Sequence, residues 1–123
     1  MDHRLLIVDD SLIIRNRIAR LCADRRLPGI RIVGLAADGV QALRIAGEQR
    51  PTLVTMDLTM PNMDGETCIA NLAQLLPDSR ILVISALSDK ATALRAIRRG
   101  AQGFLHKPFD DDSLLASLQE MLQ

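Results

Sequence analysis

Short apolar runs alternate with segments of helical periodicity along the chain, and this alternation constrains the fold more than any other feature. Each run is short enough for a β-strand and is closed by turn-forming or charged residues. Strands that alternate with helices form a parallel sheet with helices on both of its faces. The predicted strands are residues 4–10, 30–36, 53–57, 80–86 and 103–108.

The segments that follow these runs carry apolar residues at helical spacing, so we predict five amphipathic helices. We expect them to begin near Ser11, Asp38, Gly65, Ser88 and Asp110. The arginines expected to face solvent on the first helix are Arg15, Arg17 and Arg20. The residues expected to face the core are Ile14, Ile18, Leu21 and Cys22, then Val40, Leu43 and Ala46, then Ile69, Leu72, Ala73 and Leu76, then Leu94, Ile97 and Ala101, and finally Leu114, Leu115, Leu118 and Leu122.

Five βα units joined by short loops predict one doubly wound α/β domain over residues 1–123. Because crossovers between parallel strands are right-handed, few strand orders are possible. The flavodoxin-like order 2-1-3-4-5 is the natural one for a five-stranded parallel sheet of this kind. The arginine in the second run suggests a less buried strand at an edge.

The composition excludes several classes of protein. Acidic and basic residues balance at 15 each, so no net field favours nucleic acid or a membrane. Phe104 and Phe109 are the only aromatic residues, too few to stack on single-stranded nucleic acid. We expect neither a signal peptide nor a membrane span. Cys22 and Cys68 fit reduced thiols of a cytoplasmic protein, since no Cys/His pair suggests a metal site.

Charged or hydroxyl side chains stand at the ends of four predicted strands. Asp9 and Asp10 end the first, Asp57 the third, Ser85 the fourth and Lys107 the fifth. In open α/β sheets the carboxyl ends of the strands lie along one edge, where ligands bind. Carboxylates held close together need a cation, and an oxygen donor set without His or Cys suits Mg²⁺. The sequence therefore predicts a magnesium site at this edge.

A phosphoryl group would explain why a lysine and a hydroxyl share that edge with the acids. Asp57 can act as a nucleophile and become an aspartyl phosphate. Lys107, Ser85 and the cation would then neutralise the phosphoryl oxygens. The predicted metal ligands are Asp9, Asp10, Asp57 and the backbone carbonyl of Thr59.

Each of these residues also has an ordinary structural role open to it. Asp57, or either of Asp9 and Asp10, could cap the helix that follows it. Lys107 could be a surface lysine and Ser85 a turn former. We favour a shared site because their joint placement at one edge is harder to explain by separate roles.

Six motifs are spread along the chain: VDD at 8–10, ADG-xx-AL at 37–43, MDLTMPNMDG at 56–65, ISA at 84–86, GA-x-GF at 100–104 and KPF at 107–109. Together they resemble the receiver domain of two-component response regulators in its single-domain, CheY-like form. The resemblance implies that Asp57 accepts a phosphoryl group from a histidine kinase. It also implies that Ser85 is a switch hydroxyl and Phe104 a switch aromatic, and that the small Ala86 leaves room for the phosphoryl donor.

Output would come from binding of a downstream protein effector, in chemotaxis-like or relay signalling. The surface of the fourth helix, fifth strand and fifth helix would change on phosphorylation, in a protein that is a monomer or a phosphorylation-dependent dimer. Its own chemistry would be limited to self-catalysed phosphotransfer and dephosphorylation, with no nucleic-acid or membrane partner. The residues predicted to form the partner surface are Lys90, Arg95, Arg98, Phe104 and His106.

Three alternatives remain open from the sequence. The chain could be an isolated receiver piece of a larger regulator, although no linker follows its last helix. It could be a phosphatase with an aspartyl-phosphate intermediate, but Thr59 stands where a second catalytic Asp would be expected. It could also bind a flavin-like cofactor, although two acids replace the phosphate-binding loop after the first strand and the chain has no Trp or Tyr.

Overall fold

The computed structural model describes residues 2–87 and 89–123, and within them the predicted alternation of strands and helices is confirmed. The elements are β1 (His3–Val8), α1 (Leu12–Leu21), β2 (Ile30–Ala36), α2 (Gly39–Gln49), β3 (Leu53–Met56), α3 (Gly65–Leu75), β4 (Arg80–Ser85), α4 (Lys90–Arg99), β5 (Gly103–His106) and α5 (Asp111–Met121). Ser88, where we expected the fourth helix to begin, lies outside the described residues.

The sheet is parallel throughout and has the predicted order β2-β1-β3-β4-β5. Successive residues of a strand face opposite sides of the sheet, so β1 divides its side chains between two cores. Leu6 and Val8 pack in one core with residues of α2, α3 and α4. Leu5 and Ile7 pack in the other with residues of α1 and α5. β2 lies at the edge of the sheet and is the more exposed strand, as its arginine suggested.

Every helix begins at a side chain that caps it. In each case the side-chain oxygen of the N-cap residue accepts a hydrogen bond from the backbone N–H three residues later, which satisfies a donor that the helix leaves free. The five N-caps are Ser11, Asp38, Asp64, Asp89 and Asp110. These caps fix where each loop of the carboxyl edge gives way to a helix. No helix among the described residues is both long and apolar enough to cross a membrane.

The predicted inner face of α4 is wrong at two of its three positions, because Ala101 is buried as expected but the other two residues are not. Leu94 and Ile97 are 52% and 50% exposed, whereas the small residues Thr92 and Ala96 are buried. The cause is the close approach of α4 to α3 at its end. A Cβ added to Gly100 would lie 2.8 Å from the Cβ of Ala73, which leaves room there for small side chains only.

The same error occurs in α2, where Val40 was expected to face the core and is 54% exposed. Ala46 is buried as predicted, together with Gly39 and Ala42, and Leu43 is half-buried against the core. In α5, Met121 is buried, and Leu122 packs half-buried against the core.

Candidate functional site

The ends of β1 and β3 lie side by side at the carboxyl edge of the sheet. Val8 and Met56 are partners in the β1–β3 ladder, and the Asp57 N–H continues it by donating to the Val8 carbonyl at 3.0 Å. Asp9 and Asp57 therefore occupy neighbouring positions just past the ladder. One carboxylate oxygen from each of Asp9, Asp10 and Asp57 lies within 4.8 Å of the other two.

Lys107 joins this cluster from β5, where it follows the last strand residue. Its Nζ lies 2.7 Å from Oδ2 of Asp9 and 3.7 Å from Oδ1 of Asp57. Its backbone N–H donates to the Ser85 carbonyl at 2.8 Å, which extends the β4–β5 ladder by one residue, and the Lys107–Pro108 peptide bond is cis. The ammonium is therefore paired with Asp9 and is close to Asp57.

Burial makes Asp57 a weaker acid than an ordinary aspartate. Its side chain is almost fully enclosed, and this loss of solvation, with the negative charge of Asp9, raises its pKa to about 6. The Lys107 ammonium and the Thr59 N–H, which donates to Oδ1 of Asp57 at 3.4 Å, act in the opposite direction. Asp57 thus carries a carboxylate that is costly to ionise without a further cation.

The loop from β3 to α3 closes tightly behind Asp57. The Gly65 N–H donates to the Leu58 carbonyl at 3.0 Å. A Cβ at position 65 would lie 2.3 Å from the Asp57 carbonyl oxygen, so only glycine fits. Asn62 has φ +68° at the outer part of the loop, and its Nδ2 donates to Asp38 at 2.8 Å. These contacts fix the backbone that carries Thr59 beside the acids.

The two residues expected to act as a switch lie on neighbouring strands. Ser85 is fully buried, and its Oγ accepts a hydrogen bond from the Leu87 N–H at 3.1 Å. Phe104 is half-buried and packs against the core on the α2–α4 side of the sheet. In the β4–β5 register Val83 is opposite Phe104 and Ser85 is opposite His106.

The predicted partner surface is only partly available for a partner. Lys90, Arg95, Arg98 and His106 are exposed, and Phe104 is half-buried. Arg95, however, forms an ion pair with Glu66 of α3 at 3.0 Å and donates to Thr92 at 3.2 Å. The ring nitrogen Nε2 of His106 lies 3.1 Å from the Ala86 carbonyl oxygen, which connects β5 to the loop after Ser85.

Sequence reasoning missed two arginines of α1, which we expected to face solvent. Both are half-buried. Arg15 donates from Nη1 to the Asp9 carbonyl at 2.6 Å, and Arg17 lies over the ring of Phe109 with its Cζ 4.4 Å from the centroid. The available signal was their position one to two helical turns after the Asp pair, on a helix that borders the site.

The family model for the response regulator receiver domain matches residues 5–119 of this chain. The chain belongs to the response regulator receiver domain family. The chemotaxis protein CheY of Bacillus subtilis is 38% identical over 122 residues, which cover 99% of each chain. CheY of Thermotoga maritima is 33% identical over 121 residues, which cover 98% of each chain. The receiver domain is therefore closely related to that of known two-component response regulators.

Solved structures agree with this assignment. CheY in a CheX–CheY–BeF₃–Mg²⁺ complex from Borrelia burgdorferi has a TM-score of 0.90 at 30% identity, covering 98% of this chain and 90% of that one. The response regulator domain of Thermotoga maritima CheB has a TM-score of 0.87 at 28% identity, covering 100% and 96%. The chain is thus closely related to the receiver domains of CheY and CheB, which is consistent with a two-component phosphorelay response regulator of a chemotaxis-like type.

Proposed function

We propose that this receiver domain, over residues 1–123, is a phosphorylation-driven switch in which Asp57 accepts a phosphoryl group from the phosphohistidine of a histidine kinase. The observation that carries the proposal is the enclosed Asp57 carboxylate, which lies in a cluster with Asp9 and Asp10 and 3.7 Å from the Lys107 ammonium. A nucleophilic carboxylate surrounded by groups that bind phosphoryl oxygens is suited to phosphoryl transfer. The free thiols Cys22 and Cys68 are consistent with the cytoplasmic location that such a kinase requires.

The donor set fits Mg²⁺. The carboxylates of Asp9, Asp10 and Asp57 bring one oxygen each within 4.8 Å of the others, and hard oxygen ligands suit this ion. We assign these three carboxylates, together with the Thr59 carbonyl, as the groups that would hold it. When bound, Mg²⁺ supplies positive charge that offsets the repulsion between the carboxylates and the incoming phosphoryl oxygens.

The transfer uses an oxygen of Asp57 as the nucleophile. This oxygen attacks phosphorus, and the phosphorus–nitrogen bond of the phosphohistidine breaks with its electron pair left on the imidazole nitrogen. Lys107 lies between Asp9 and Asp57 and can shift its ammonium towards the new phosphoryl oxygens. The enclosed position of Asp57 limits the access of water to the aspartyl phosphate. The domain's own chemistry is limited to this transfer and to hydrolysis of the product.

Ser85 and Phe104 link the negative charge of the phosphoryl group to a change in the shape of the α4–β5–α5 surface. The hydroxyl of Ser85 accepts from the Leu87 N–H, so its own hydrogen can be donated to a phosphoryl oxygen. Movement of Ser85 would leave space into which the half-buried Phe104 ring can turn. A shift from 1:99 to 99:1 between two states needs about 5.5 kcal/mol, and charge-assisted hydrogen bonds contribute about 1.5–3 kcal/mol each.

The output is binding of a downstream protein through α4, β5 and α5. Lys90, Arg98 and His106 provide exposed polar groups on this surface, and Leu94 and Ile97 provide exposed apolar area. Apolar area surrounded by cationic groups suits an amphipathic, acidic protein segment. Arg95 is held by Glu66, so its contribution requires that ion pair to open.

Mass spectrometry after incubation with acetyl phosphate and Mg²⁺ tests the proposal. Wild type should gain one phosphoryl group, and Asp57→Asn should gain none. Asp64→Asn is the matched control, because Asp64 lies in the same loop, is exposed, and can keep its N-cap role as an asparagine. Incorporation into Asp57→Asn at the wild-type rate would refute the assignment of Asp57.

A further inference from the structure

Arg17 of α1 makes three kinds of contact with the segment that begins two residues after Lys107. Its guanidinium lies over the Phe109 ring, with Cζ 4.4 Å from the centroid. Its Nη2 donates to the Phe109 carbonyl at 2.8 Å. Nη2 and Nε also donate to Oδ1 of Asp111, at 3.0 and 3.3 Å. One planar group therefore holds a ring, a main-chain oxygen and a carboxylate, which the flexible ammonium of a lysine cannot do in the same way.

The lysine that enters the acid cluster lies just before this segment. Lys107 has a long flexible side chain, so the path of its backbone decides whether Nζ reaches the carboxylates. On one side, the Lys107 N–H is held by the Ser85 carbonyl of β4. On the other side, Phe109 is buried in the core between α1 and α5, and Arg17 covers its ring.

The same helix also holds the residue with which Lys107 is paired. At the start of α1, the Ser11 N–H donates to Oδ1 of Asp9 at 2.9 Å, and Arg15 donates to the Asp9 carbonyl at 2.6 Å. α1 is thus fixed to Asp9 near its beginning and to Phe109 further along. The 2.7 Å contact between Lys107 and Asp9 joins two segments that this helix already holds in place.

We propose that Arg17 is a positioning residue for Lys107: by binding the Phe109 carbonyl and the Asp111 carboxylate it fixes the backbone that follows Lys107 and holds the ammonium within reach of the acid cluster. This inference rests on the proposed function, because it concerns how the phosphoryl-binding lysine is placed. Arg17 forms no hydrogen bond or ion pair with the cluster residues Asp9, Asp10 and Asp57. Its effect on phosphorylation therefore passes through Lys107, and this separates it from a residue that only stabilises the packing of α1 on α5.

A double-mutant cycle tests this dependence. Arg17→Ala, Arg17→Lys and Arg20→Ala are each made with Lys107 present and in a Lys107→Ala background. The rate of phosphorylation by acetyl phosphate and Mg²⁺ is then measured on protein shown to be folded by circular dichroism. Arg20 is the matched control, because it is an exposed arginine on the same helix.

With Lys107 present, Arg17→Ala should lower the rate by about tenfold to a hundredfold, since small displacements of a group at a reacting centre have effects of that size. Arg17→Lys should fall between wild type and Arg17→Ala, and Arg20→Ala should leave the rate unchanged. In the Lys107→Ala background, Arg17→Ala should have no further effect. An equal loss of rate in both backgrounds would overturn the proposal.

Lysine resonances give a readout that does not depend on phosphorylation. Lys90 is the other lysine of the chain, so protein labelled with ¹³C at lysine Cε yields two assignable signals. In Arg17→Ala the Lys107 signal should move towards that of the exposed Lys90, and in Arg20→Ala it should not move. An unchanged Lys107 signal in Arg17→Ala would overturn the proposal. If wild type is not phosphorylated at Asp57, the proposed function fails while this spectrum still decides the role of Arg17.

Discussion

The acid site and α4 depart in opposite directions from the usual distribution of charged and apolar residues. At the acid site, Asp9 and Asp57 are 1% and 5% exposed. On α4, the apolar side chains of Leu94 and Ile97 are about half exposed. Charged residues are normally outside and large aliphatic residues inside, so a chain selected for stability alone would be expected to have neither feature.

The two departures have different energetic consequences. Buried carboxylates lose hydration and repel one another, so their cost depends on each partner that remains in the cluster. An exposed leucine lacks the hydrophobic stabilisation of a buried one, but it leaves no polar group without a hydrogen-bond partner. Single substitutions at the acid site should therefore change the free energy of unfolding strongly, whereas those on the outer face of α4 should change it little.

Removal of the lysine should have the largest effect on stability. Lys107→Ala leaves the enclosed Asp9 without its 2.7 Å partner, and the loss of one member of a buried ion pair costs about 3 kcal/mol. Urea unfolding in EDTA would measure this cost. The control is Lys90→Ala, which removes an exposed lysine and should stay within about 0.5 kcal/mol of wild type. A loss below about 1 kcal/mol for Lys107→Ala would mean that the carboxylates do not need the ammonium.

Neutralisation of Asp57 should increase the free energy of unfolding, whereas removal of Lys107 should lower it. The pKa of Asp57 is about 6 in the folded domain and lies near the ordinary aspartate value of 3.8 in the unfolded chain. The folded state therefore binds the proton more tightly, and wild type loses stability relative to Asp57→Asn as the pH rises from about 4 through about 6. Above that range Asp57→Asn should be more stable by about 1–3 kcal/mol in urea unfolding with EDTA, and below it the two should converge.

The exposed Asp78→Asn serves as the control and should stay within about 0.5 kcal/mol of wild type at pH 7. Added Mg²⁺ should stabilise wild type by about 1.4 kcal/mol at ten times its dissociation constant, and should stabilise Asp57→Asn less. Equal stability of wild type and Asp57→Asn at pH 7 without metal would contradict the expected cost of the buried carboxylates.

Substitution on the outer face of α4 should have the smallest effect. Leu94→Ser and Ile97→Ser should each change the free energy of unfolding by about 0.5 kcal/mol or less, because these side chains are already half exposed. Both variants should also be phosphorylated by acetyl phosphate at the wild-type rate. The contrasting variant is Ala96→Leu, which adds volume at a buried position of the same helix and should cost about 1–3 kcal/mol.

The same two regions show how far sequence reasoning reached. The placement of Asp9, Asp57 and Lys107 at one edge followed from periodicity and from the geometry of parallel sheets. The strand order was chosen as the natural one among the few that right-handed crossovers allow, and the sequence alone did not fix it. The pairing within the cluster did not follow, because the ammonium lies closer to Asp9 than to Asp57 through a balance of backbone position and charge. The contact of Arg17 with Phe109 did not follow either, because the two residues are 92 positions apart and no local pattern records such a contact.

The error on α4 has a different origin. Hydrophobic periodicity selects large apolar residues as the inner face, and Leu94 and Ile97 satisfied that rule. In a helix that approaches its neighbour closely, small residues such as Ala96 form the buried face instead. The interhelical distance that decides between these outcomes is a tertiary quantity, visible here in the 2.8 Å separation between Ala73 and a Cβ built on Gly100.

The tight closure at Gly65 also limits how this chain can diverge over generations. Every other amino acid would bring a carbon atom to about the place that now lies 2.3 Å from the Asp57 carbonyl oxygen. Steric exclusion alone therefore keeps glycine at position 65, independently of what the protein does. The neighbouring Thr59 is exposed, so its side chain can change over generations while the backbone support of Asp57 stays the same.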